Sequence, residues 1–269
     1  MKHAPDEPGI ERIDAYFAGY AYDPHRHDTY ALGYTLSGLQ CFDYRGAVRG
    51  SRPGNVIVLH PDERHNGRAG EDGGFRYRMI YLEPRLVADA LGTRAVALPF
   101  VRDAVSRDRR LLAALTAALD DLERPFEALE RDQIVLAIAE ALLARDASAR
   151  GHALSASSAA AVEQTRQFLD ANFARTVASE ELEGATGLDR YALARHFRAR
   201  LGTSPYRYLT MRRLDHARAD IRTGASLADA ALANGFADQS HMTRHFKRAY
   251  GLSPGRWRAL QKIESPPRQ

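Results

Sequence analysis

The sequence is poor in cysteine and has no long apolar run. Cys41 is the only cysteine among 269 residues, which excludes an intramolecular disulfide framework and a cysteine-ligated zinc site. No segment approaches the roughly 20 apolar residues that a membrane-spanning helix needs. The N-terminal segment, MKHAPDEPGIERID, lacks the apolar core of a secretory signal. These absences predict a cytoplasmic protein with no membrane partner.

Patterns typical of catalysis are also missing. No serine, cysteine or carboxylate stands in an arrangement that indicates a nucleophile with its base or a paired acid and base. We therefore expect no enzymatic activity and no cofactor. The composition, 45% hydrophobic and 27% charged, is that of a globular protein, and the length allows two ordinary domains.

The net charge of +4 is distributed unevenly along the chain. Residues 160–269 carry 18 Lys and Arg against 11 Asp and Glu, a net charge of +7. Residues 1–159 carry 20 against 23, a net charge of −3. A basic C-terminal part favours a polyanion as its partner. A solvated basic face is the alternative that charge alone leaves open.

The N-terminal part, to about residue 84, has the pattern of β structure. Short apolar or alternating runs are separated by Gly, Pro, Asp and Asn. The clearest runs cover residues 30–38, 40–46, 55–60 and 75–83. Strands at this spacing, with turn residues between them, predict a small barrel or sandwich.

Helical patterns replace the strands further along the chain. Apolar residues recur at helical spacing over 111–122 and 129–142, and their stripes must be buried by the β domain or by a second copy of the chain. We expect these helices to form a homodimer. The small, polar residues that follow predict a linker. The whole is an α+β protein with a β domain over 1–148, a linker over 149–160 and an all-α domain over 161–262.

The C-terminal part contains an internal repeat. The sequence RHFR at 195–198 returns as RHFK at 244–247, which is 49 residues later. The sequence GTSP at 202–205 returns as GLSP at 251–254 with the same offset. Such a repeat predicts two structural units of one kind.

Both copies follow one plan. A short helix begins at Ser179 or Ser226, which are good N-cap residues, and Gly187 or Gly235 ends it in a left-handed turn. A second helix then starts near Asp189 or Asp238 and buries apolar residues at a spacing of four. These residues are Leu193, Phe197, Met242 and Phe246. Helix, glycine turn and helix together form a helix-turn-helix unit.

The outward face of each second helix carries side chains that can bind DNA. These candidate DNA-binding residues are Arg190, Tyr191, Ala194, Arg195 and Arg198 in the first copy, and Gln239, Ser240, His241, Thr243, Arg244 and Lys247 in the second. Arg suits guanine edges and Gln suits adenine, whereas Ser, Thr and Lys suit phosphates. A connecting helix over about 204–222 would place the two copies in successive major-groove segments about 34 Å apart.

The C-terminal part resembles a known family of DNA-binding domains. Residues 161–260 resemble the DNA-binding domain of the AraC/XylS family of bacterial regulators, and ANGFADQSHMTRHFKRAYGLSPGRWR is similar to the family's second-unit signature throughout. The resemblance implies a transcriptional regulator that binds double-stranded promoter DNA and contacts RNA polymerase. One residue departs from the pattern: Glu183 stands where the family, like Ala231 here, has a small residue at the helix crossing. This departure implies altered packing of the first unit and altered strength of DNA recognition.

The N-terminal part resembles the cupin-like sensing domains of the same family. The layout is His25-Arg26-His27, a Pro-Gly turn at 53–54, and then His60 and His65. Such barrels hold a small ligand in their mouth, so the resemblance implies a small-molecule effector. The candidate ligand-binding residues are His25, His27, Tyr30, Tyr34 and His65. Core packing is the alternative for each of them, Tyr34 included.

The four histidines are also a candidate metal site, since imidazole nitrogens bind transition metals. The metal-binding cupin pattern has a Glu soon after the His pair, but Tyr30 stands in that neighbourhood here and no Asn closes the second motif. We therefore expect an organic effector and no metal. The alternative is a metal-dependent cupin enzyme or a metal sensor joined to a DNA-binding domain.

Overall fold

The computed structural model describes residues 1–92, 97–146 and 155–262. The chain forms two units, residues 1–153 and 154–269, which we call the N-terminal unit and the C-terminal unit. None of the described helices combines the length and the apolar character that crossing a membrane requires.

The N-terminal unit contains two antiparallel sheets. Its described strands are β1 (Lys2–His3), β2 (Ile10–Phe17), β3 (Tyr20–His25), β4 (Tyr30–Gly38), β5 (Gln40–Tyr44), β6 (Ala47–Ser51), β7 (Val56–Leu59), β8 (His65–Ala69), β9 (Phe75–Leu82) and β10 (Val105–Ser106). One sheet has the order β1-β2-β9-β4-β7-β10, and the other has the order β3-β8-β5-β6. The predicted strands correspond to β4, β5, β7 and β9.

The two sheets enclose one apolar core between them. Ile13, Ile57 and Tyr77 come from the six-stranded sheet, and they share this core with Phe42 and Tyr44 from the four-stranded sheet. Because successive side chains of a strand alternate between faces, β9 sends its intervening residues to the opposite face of its sheet. The interior is thus lined by alternate residues of both sheets, as in a small barrel.

Three helices cover the outer face of the six-stranded sheet. They are α1 (Pro84–Leu91), α2 (Arg109–Leu119) and α3 (Ala128–Ala144). Leu115 and Ile138 from the predicted apolar stripes lie fully buried in one cluster with Leu32 and Ile80 of the sheet. Of the two candidates for covering these stripes, the β domain of the same chain, with its neighbouring helices, covers most of both, whereas Leu129 (71% exposed) and Ala137 stay exposed. The stripes therefore give no independent argument for a dimer.

Arg12 joins the end of α2 to this sheet. Its side chain, on β2, is buried, and its guanidinium donates to the carbonyl oxygens of Ala118 (3.2 Å), Asp121 (3.0 Å) and Arg124 (2.7 Å). The guanidinium carbon also lies 3.7 Å from the centroid of the Phe126 ring. A cation is favourable here because carbonyl groups at a helix C-terminus carry partial negative charge.

The C-terminal unit is helical throughout its described part. Its helices are α4 (Ala156–Ala171), α5 (Ser179–Thr186), α6 (Arg190–Leu201), α7 (Pro205–Arg222), α8 (Leu227–Ala233), α9 (Gln239–Tyr250) and α10 (Pro254–Lys262). The side chains of α7 bury into two separate cores. Tyr208 and Leu209 pack with α4, α5 and α6, whereas Leu214 and Ile221 pack with α8, α9 and α10. One continuous helix thus connects the two halves.

The predicted linker over 149–160 is wrong at its C-terminal end. Helix α4 begins at Ala156, and the hydroxyl of Ser155 caps it by accepting from the backbone N–H of Ser158 at 3.2 Å. A small, polar composition did not prevent a helix here, because Ser155 supplies the cap and the alanines that follow favour helix. Residues 147–154 lie outside the described part of the chain.

Candidate nucleic-acid interface and histidine cluster

Three histidines converge in the N-terminal unit. His25 ends β3 and His65 begins β8, and the two stand directly opposite each other in the pairing of these strands. His27 follows β3, and its ring centroid lies 4.9 Å from that of His65, while the rings of His25 and His65 are 4.3 Å apart. One ring nitrogen from each residue lies within 4.8 Å of those of the other two. All three side chains are buried, and we call them the histidine cluster.

His60 does not belong to this cluster, although it is the fourth histidine of the predicted set. Its Nε2 accepts a hydrogen bond from the backbone N–H of Val101 at 2.9 Å, and its Nδ1 lies 2.8 Å from the hydroxyl of Tyr44. Its ring stacks on Phe100 with centroids 4.3 Å apart. Burial lowers the pKa of His60 to about 4. His60 is therefore a neutral core residue with both nitrogens engaged.

The two predicted ligand-binding tyrosines lie elsewhere. Tyr30 and Tyr34 belong to the cluster between the six-stranded sheet and the helices, not to the core between the sheets. The hydroxyl of Tyr30 donates to the carbonyl oxygen of Pro99 at 2.7 Å. Because side chains alternate along β4, both tyrosines face away from the interior of the barrel. The predicted ligand set thus separates into three histidines that converge and two tyrosines that do not join them.

The turns of the two helix-turn-helix units have the predicted glycine geometry. Gly187 and Gly235 have φ angles of 68° and 74°, in the left-handed region. A Cβ atom on Gly235 would lie 2.7 Å from the carbonyl oxygen of Ala174, so a side chain is excluded there. The predicted cap is correct for Ser226 in the second unit. In the first unit it is wrong: Ser179 is already in the helix, because the Glu181 carboxylate accepts from the backbone N–H of Ala178 at 2.8 Å and stabilises an earlier start.

The second helix of each unit begins as predicted. Asp189 caps α6 by accepting from the backbone N–H groups of Tyr191 and Ala192, both at 3.0 Å. Asp238 caps α9 in the same way, through the N–H of His241 at 2.6 Å. The residues predicted to anchor these helices are all buried, namely Leu193, Phe197, Met242 and Phe246. The faces of α6 and α9 that lie opposite these buried residues therefore point toward solvent.

Most candidate residues on α9 are exposed. Gln239, Ser240, Arg244 and Lys247 are exposed, and Thr243 is half-buried. These side chains place a mixed polar and basic surface along one face of the helix. Such a surface combines groups for base edges with groups for phosphates.

His241 is turned toward the turn of its own unit. Its Nδ1 accepts from the backbone N–H of Ala237 at 3.3 Å, and its ring packs edge-on against Phe236 at a centroid distance of 5.6 Å. It also contacts His245, whose pKa is lowered to about 4 by burial and then by the charge of nearby His241. His241 therefore supports the turn in this structure. Arg248, one turn beyond Arg244 and exposed, was not predicted, although a spacing of four places it on the same face.

The candidate DNA-binding residues on α6 are less available to DNA than those on α9. Tyr191, at 71% exposure, is accompanied by exposed Arg195 and Arg198, while Ala194 is half-buried. Arg190 is exposed as well, but it is bound by acidic side chains of α5. Its Nη2 donates to Glu180 at 2.8 Å and to Glu183 at 3.0 Å, and its Nε donates to Glu183 at 2.9 Å.

Each of the two units matches the model of a known protein family. The model of the AraC-like ligand binding domain matches residues 7–139, and that of a helix-turn-helix domain matches residues 182–260. The chain belongs to the AraC family of transcriptional regulators. It is thus an AraC-type regulator with a ligand-binding domain followed by a DNA-binding domain.

Relatives of this AraC-type regulator cover most of its length. The uncharacterized HTH-type transcriptional regulator YbfI of Bacillus subtilis is 28% identical over 81% of this chain and 80% of its own. The HTH-type transcriptional activator RhaS of Citrobacter koseri is 29% identical over 87% of this chain and 86% of its own. The crystal structure of ToxT from Vibrio cholerae O395 has the same fold, with a TM-score of 0.66, 11% identity and coverage of 94% and 98% of the two chains.

Glu183 has a structural role in this AraC-type regulator, because it binds Arg190 through both side chain and backbone. Besides binding the Arg190 guanidinium, its carboxylate accepts from the backbone N–H of Arg190 at 2.9 Å, and these bonds lower the pKa of Glu183. The corresponding positions of the second unit are Ala231 and Gln239, which carry no charge. The departure found in the sequence is thus one half of an ion pair that only the first unit contains.

Proposed function

We propose that this regulator recognises promoter DNA with both helix-turn-helix units, and that α9 makes the dominant contribution to sequence specificity. The observation that carries this proposal is the contrast between the two helices. The first residue of α9 is Gln239, whereas the corresponding Arg190 of α6 already donates to Glu180 and Glu183. Binding of Arg190 to DNA requires this ion pair to be broken, which costs part of the free energy gained.

The candidate contacts of α9 fall into two classes. Arg244 has a planar guanidinium that suits the two acceptors of a guanine edge, and Gln239 has an amide that suits adenine. Lys247 and Arg248 lie one turn further along the helix, and we assign them to phosphates, which fix the position of the helix on the duplex. The resulting interface is specific at one end of α9 and electrostatic at the other.

The N-terminal unit, in this proposal, binds a small organic effector that changes DNA affinity. The family model that matches this unit is that of a ligand-binding domain. ToxT, which shares the fold, has a crystal structure with an unsaturated fatty acid bound. An effector regulates only if it binds one state of the protein better than another, so DNA affinity must change when it binds.

We also propose that the chain contacts RNA polymerase, forms a homodimer and has no catalytic role. RhaS is named a transcriptional activator, which supports a contact between this chain and RNA polymerase. The expected homodimer stays a prediction; sedimentation of the full chain at micromolar concentration tests it. Relatives over most of the chain are named as transcriptional regulators, which supports a role without catalysis.

Selection from a random library of double-stranded DNA tests the proposal directly. The full-length chain should enrich one sequence with two half-sites spaced by about one helical turn, roughly 10 base pairs. Scrambling the half-site bound by α9 should then weaken binding more than scrambling the other. Enrichment of no sequence, or an equal loss from both changes, contradicts the proposal.

A further inference from the structure

The histidine cluster presents three imidazoles to one point inside the N-terminal unit. His25 and His65 are fixed by the register of β3 and β8, and His27 is brought in by the chain that leaves β3. One nitrogen of each ring lies within 4.8 Å of the other two. Aromatic rings enclose the cluster: Tyr22 lies edge-on to His25 at 5.1 Å, and Tyr81 lies edge-on to His27 at 5.3 Å.

Hydrogen bonds to the backbone determine which nitrogen of each ring can bind a metal. The Nδ1 atoms of His25, His27 and His65 lie 2.9, 2.9 and 3.1 Å from the carbonyl oxygens of residues 23, 29 and 63. A carbonyl oxygen only accepts, so each Nδ1 carries the hydrogen and donates it. Each Nε2 then carries a lone pair. The same outer bond orients histidine ligands in metalloproteins.

We propose that His25, His27 and His65 bind one divalent transition-metal ion through their Nε2 atoms. Three acceptor nitrogens cannot donate hydrogen bonds to one another, whereas a cation accepts an electron pair from each. The enclosing aromatic rings protect the site from bulk water. The proposal concerns the N-terminal unit alone and does not depend on DNA recognition.

The chemistry of the three ligands indicates the class of metal. Neutral imidazole suits Zn²⁺, Co²⁺, Ni²⁺ and Cu²⁺, whereas Mg²⁺ and Ca²⁺ prefer oxygen ligands. Tetrahedral bonds of about 2.1 Å place ligand nitrogens about 3.4 Å apart, so the ring nitrogens must approach one another by up to about 1.4 Å through side-chain rotation. Three protein ligands leave the fourth position open to water or to another small ligand.

This proposal revises the expectation of no metal that came from the sequence. That expectation depended on the missing Glu after the His pair and on the missing Asn of the second motif. The structure shows that convergence does not need either residue, because strand pairing alone places His65 opposite His25. A site of three histidines is sufficient for a bound transition metal.

Metal titration of the full-length chain tests the proposal. After treatment with a chelator and dialysis, the protein should bind one Zn²⁺ per chain by calorimetry, and Mg²⁺ should not bind. Co²⁺ should give visible absorption bands typical of low coordination number. X-ray absorption of the Zn²⁺ form should show three imidazole ligands. Absence of Zn²⁺ and Co²⁺ binding, or fewer than three imidazoles, overturns the proposal.

Variants locate the site within the chain. His25→Gln and His65→Gln should each weaken Zn²⁺ binding more than tenfold. His3→Gln is the matched control, because it removes an imidazole from the same unit but outside the cluster, and it should leave Zn²⁺ affinity unchanged. Far-UV circular dichroism reports whether each variant folds. If folded His25→Gln and His65→Gln retain wild-type Zn²⁺ affinity, the assignment of these residues is wrong.

Discussion

Arg190 and Glu183 form a two-pronged ion pair across the turn of the first helix-turn-helix unit, with Nε–Oε1 and Nη2–Oε2 distances of 2.9 and 3.0 Å. Glu180 adds a third bond from the same helix, at 2.8 Å. The pair is exposed, so its strength depends on salt, but it competes directly with any DNA phosphate or base that approaches Arg190. The first unit thus contains carboxylates that compete with DNA for the Arg190 guanidinium.

Removing the charge of Glu183 should strengthen DNA binding. Glu183→Gln keeps an oxygen that accepts from the backbone of Arg190 but no longer neutralises the guanidinium. We expect affinity for the selected DNA to rise severalfold, and the salt dependence of binding to steepen by about one phosphate contact. Fluorescence anisotropy over a series of salt concentrations measures both effects.

A control separates this effect from a general change in charge. Glu163→Gln removes the same charge from α4, where Glu163 pairs with Arg166. If the two variants gain affinity equally, the Arg190 ion pair is not the cause. Adding Arg190→Ala to Glu183→Gln should abolish the gain, because the two residues are coupled.

Arg244 and Lys247 should differ in how their loss affects DNA binding. Arg244→Ala should cost about 1–3 kcal/mol on the selected sequence and much less on scrambled DNA, since a bidentate base contact is lost. Lys247→Ala should weaken binding to both DNAs alike and reduce the salt slope by about one. Identical behaviour of the two variants in anisotropy titrations would show that the DNA-facing side of α9 is misassigned.

Arg12 should be necessary for the stability of the N-terminal unit. Arg12→Ala leaves the carbonyl oxygens of residues 118, 121 and 124 without their donor and removes the cation from the Phe126 ring. We expect the free energy of unfolding to fall by about 3 kcal/mol, as measured by urea denaturation. Arg52→Ala removes an exposed arginine paired with Glu71 in the same unit, and it should cost less than about 1 kcal/mol.

His60 should make the stability of the regulator sensitive to acid. Its pKa is about 4 in the folded protein, below the ordinary value of 6.5, because burial disfavours the charged ring. The unfolded chain therefore binds the additional proton between pH 6.5 and pH 4. His60 contributes stability fully above about pH 6.5, and up to about 3 kcal/mol is lost as the pH falls to 4.

The variant His60→Gln isolates this contribution. Its amide can still accept from Val101 and donate to Tyr44, but it does not titrate. With EDTA present, the free energy of unfolding of the variant should depend less steeply on pH between 4 and 6.5, by up to one proton. Urea denaturation at several pH values gives both slopes. Equal slopes for wild type and variant would contradict the assignment of His60 as a buried neutral histidine.

The helix-turn-helix units were predictable because their signals are local. Glycine, cap residue and apolar anchor lie within one or two helical turns of each other, so Gly235, Asp238 and Met242 define the second unit by sequence spacing alone. The two-residue strands β1 and β10 and the longer strands β2, β3, β6 and β8 were not predicted. In β3, for example, Pro24 and polar neighbours hide the alternation that indicates a strand.

The histidine cluster and the Arg190 ion pair depend on tertiary structure. His25 and His65 meet only because β3 pairs with β8, and neither strand has a pattern that fixes the register from sequence. Tyr34 was grouped with the histidines because it is near them in sequence, but alternation along β4 sends it to the other face. Glu183 was recognised as unusual, whereas its partner became visible only when α5 and α6 were placed together.

The connecting helix α7 joins α6 and α9, two unlike helices that we propose bind DNA, on a single chain. The DNA target of one chain is therefore expected to have a direction. A target turned end for end would present each half-site to the wrong helix, so its orientation matters as much as its sequence. Promoters bound by this chain are therefore expected to carry their two half-sites as an ordered, non-palindromic pair. We expect the direction of that pair to decide which end of the protein faces the start of transcription.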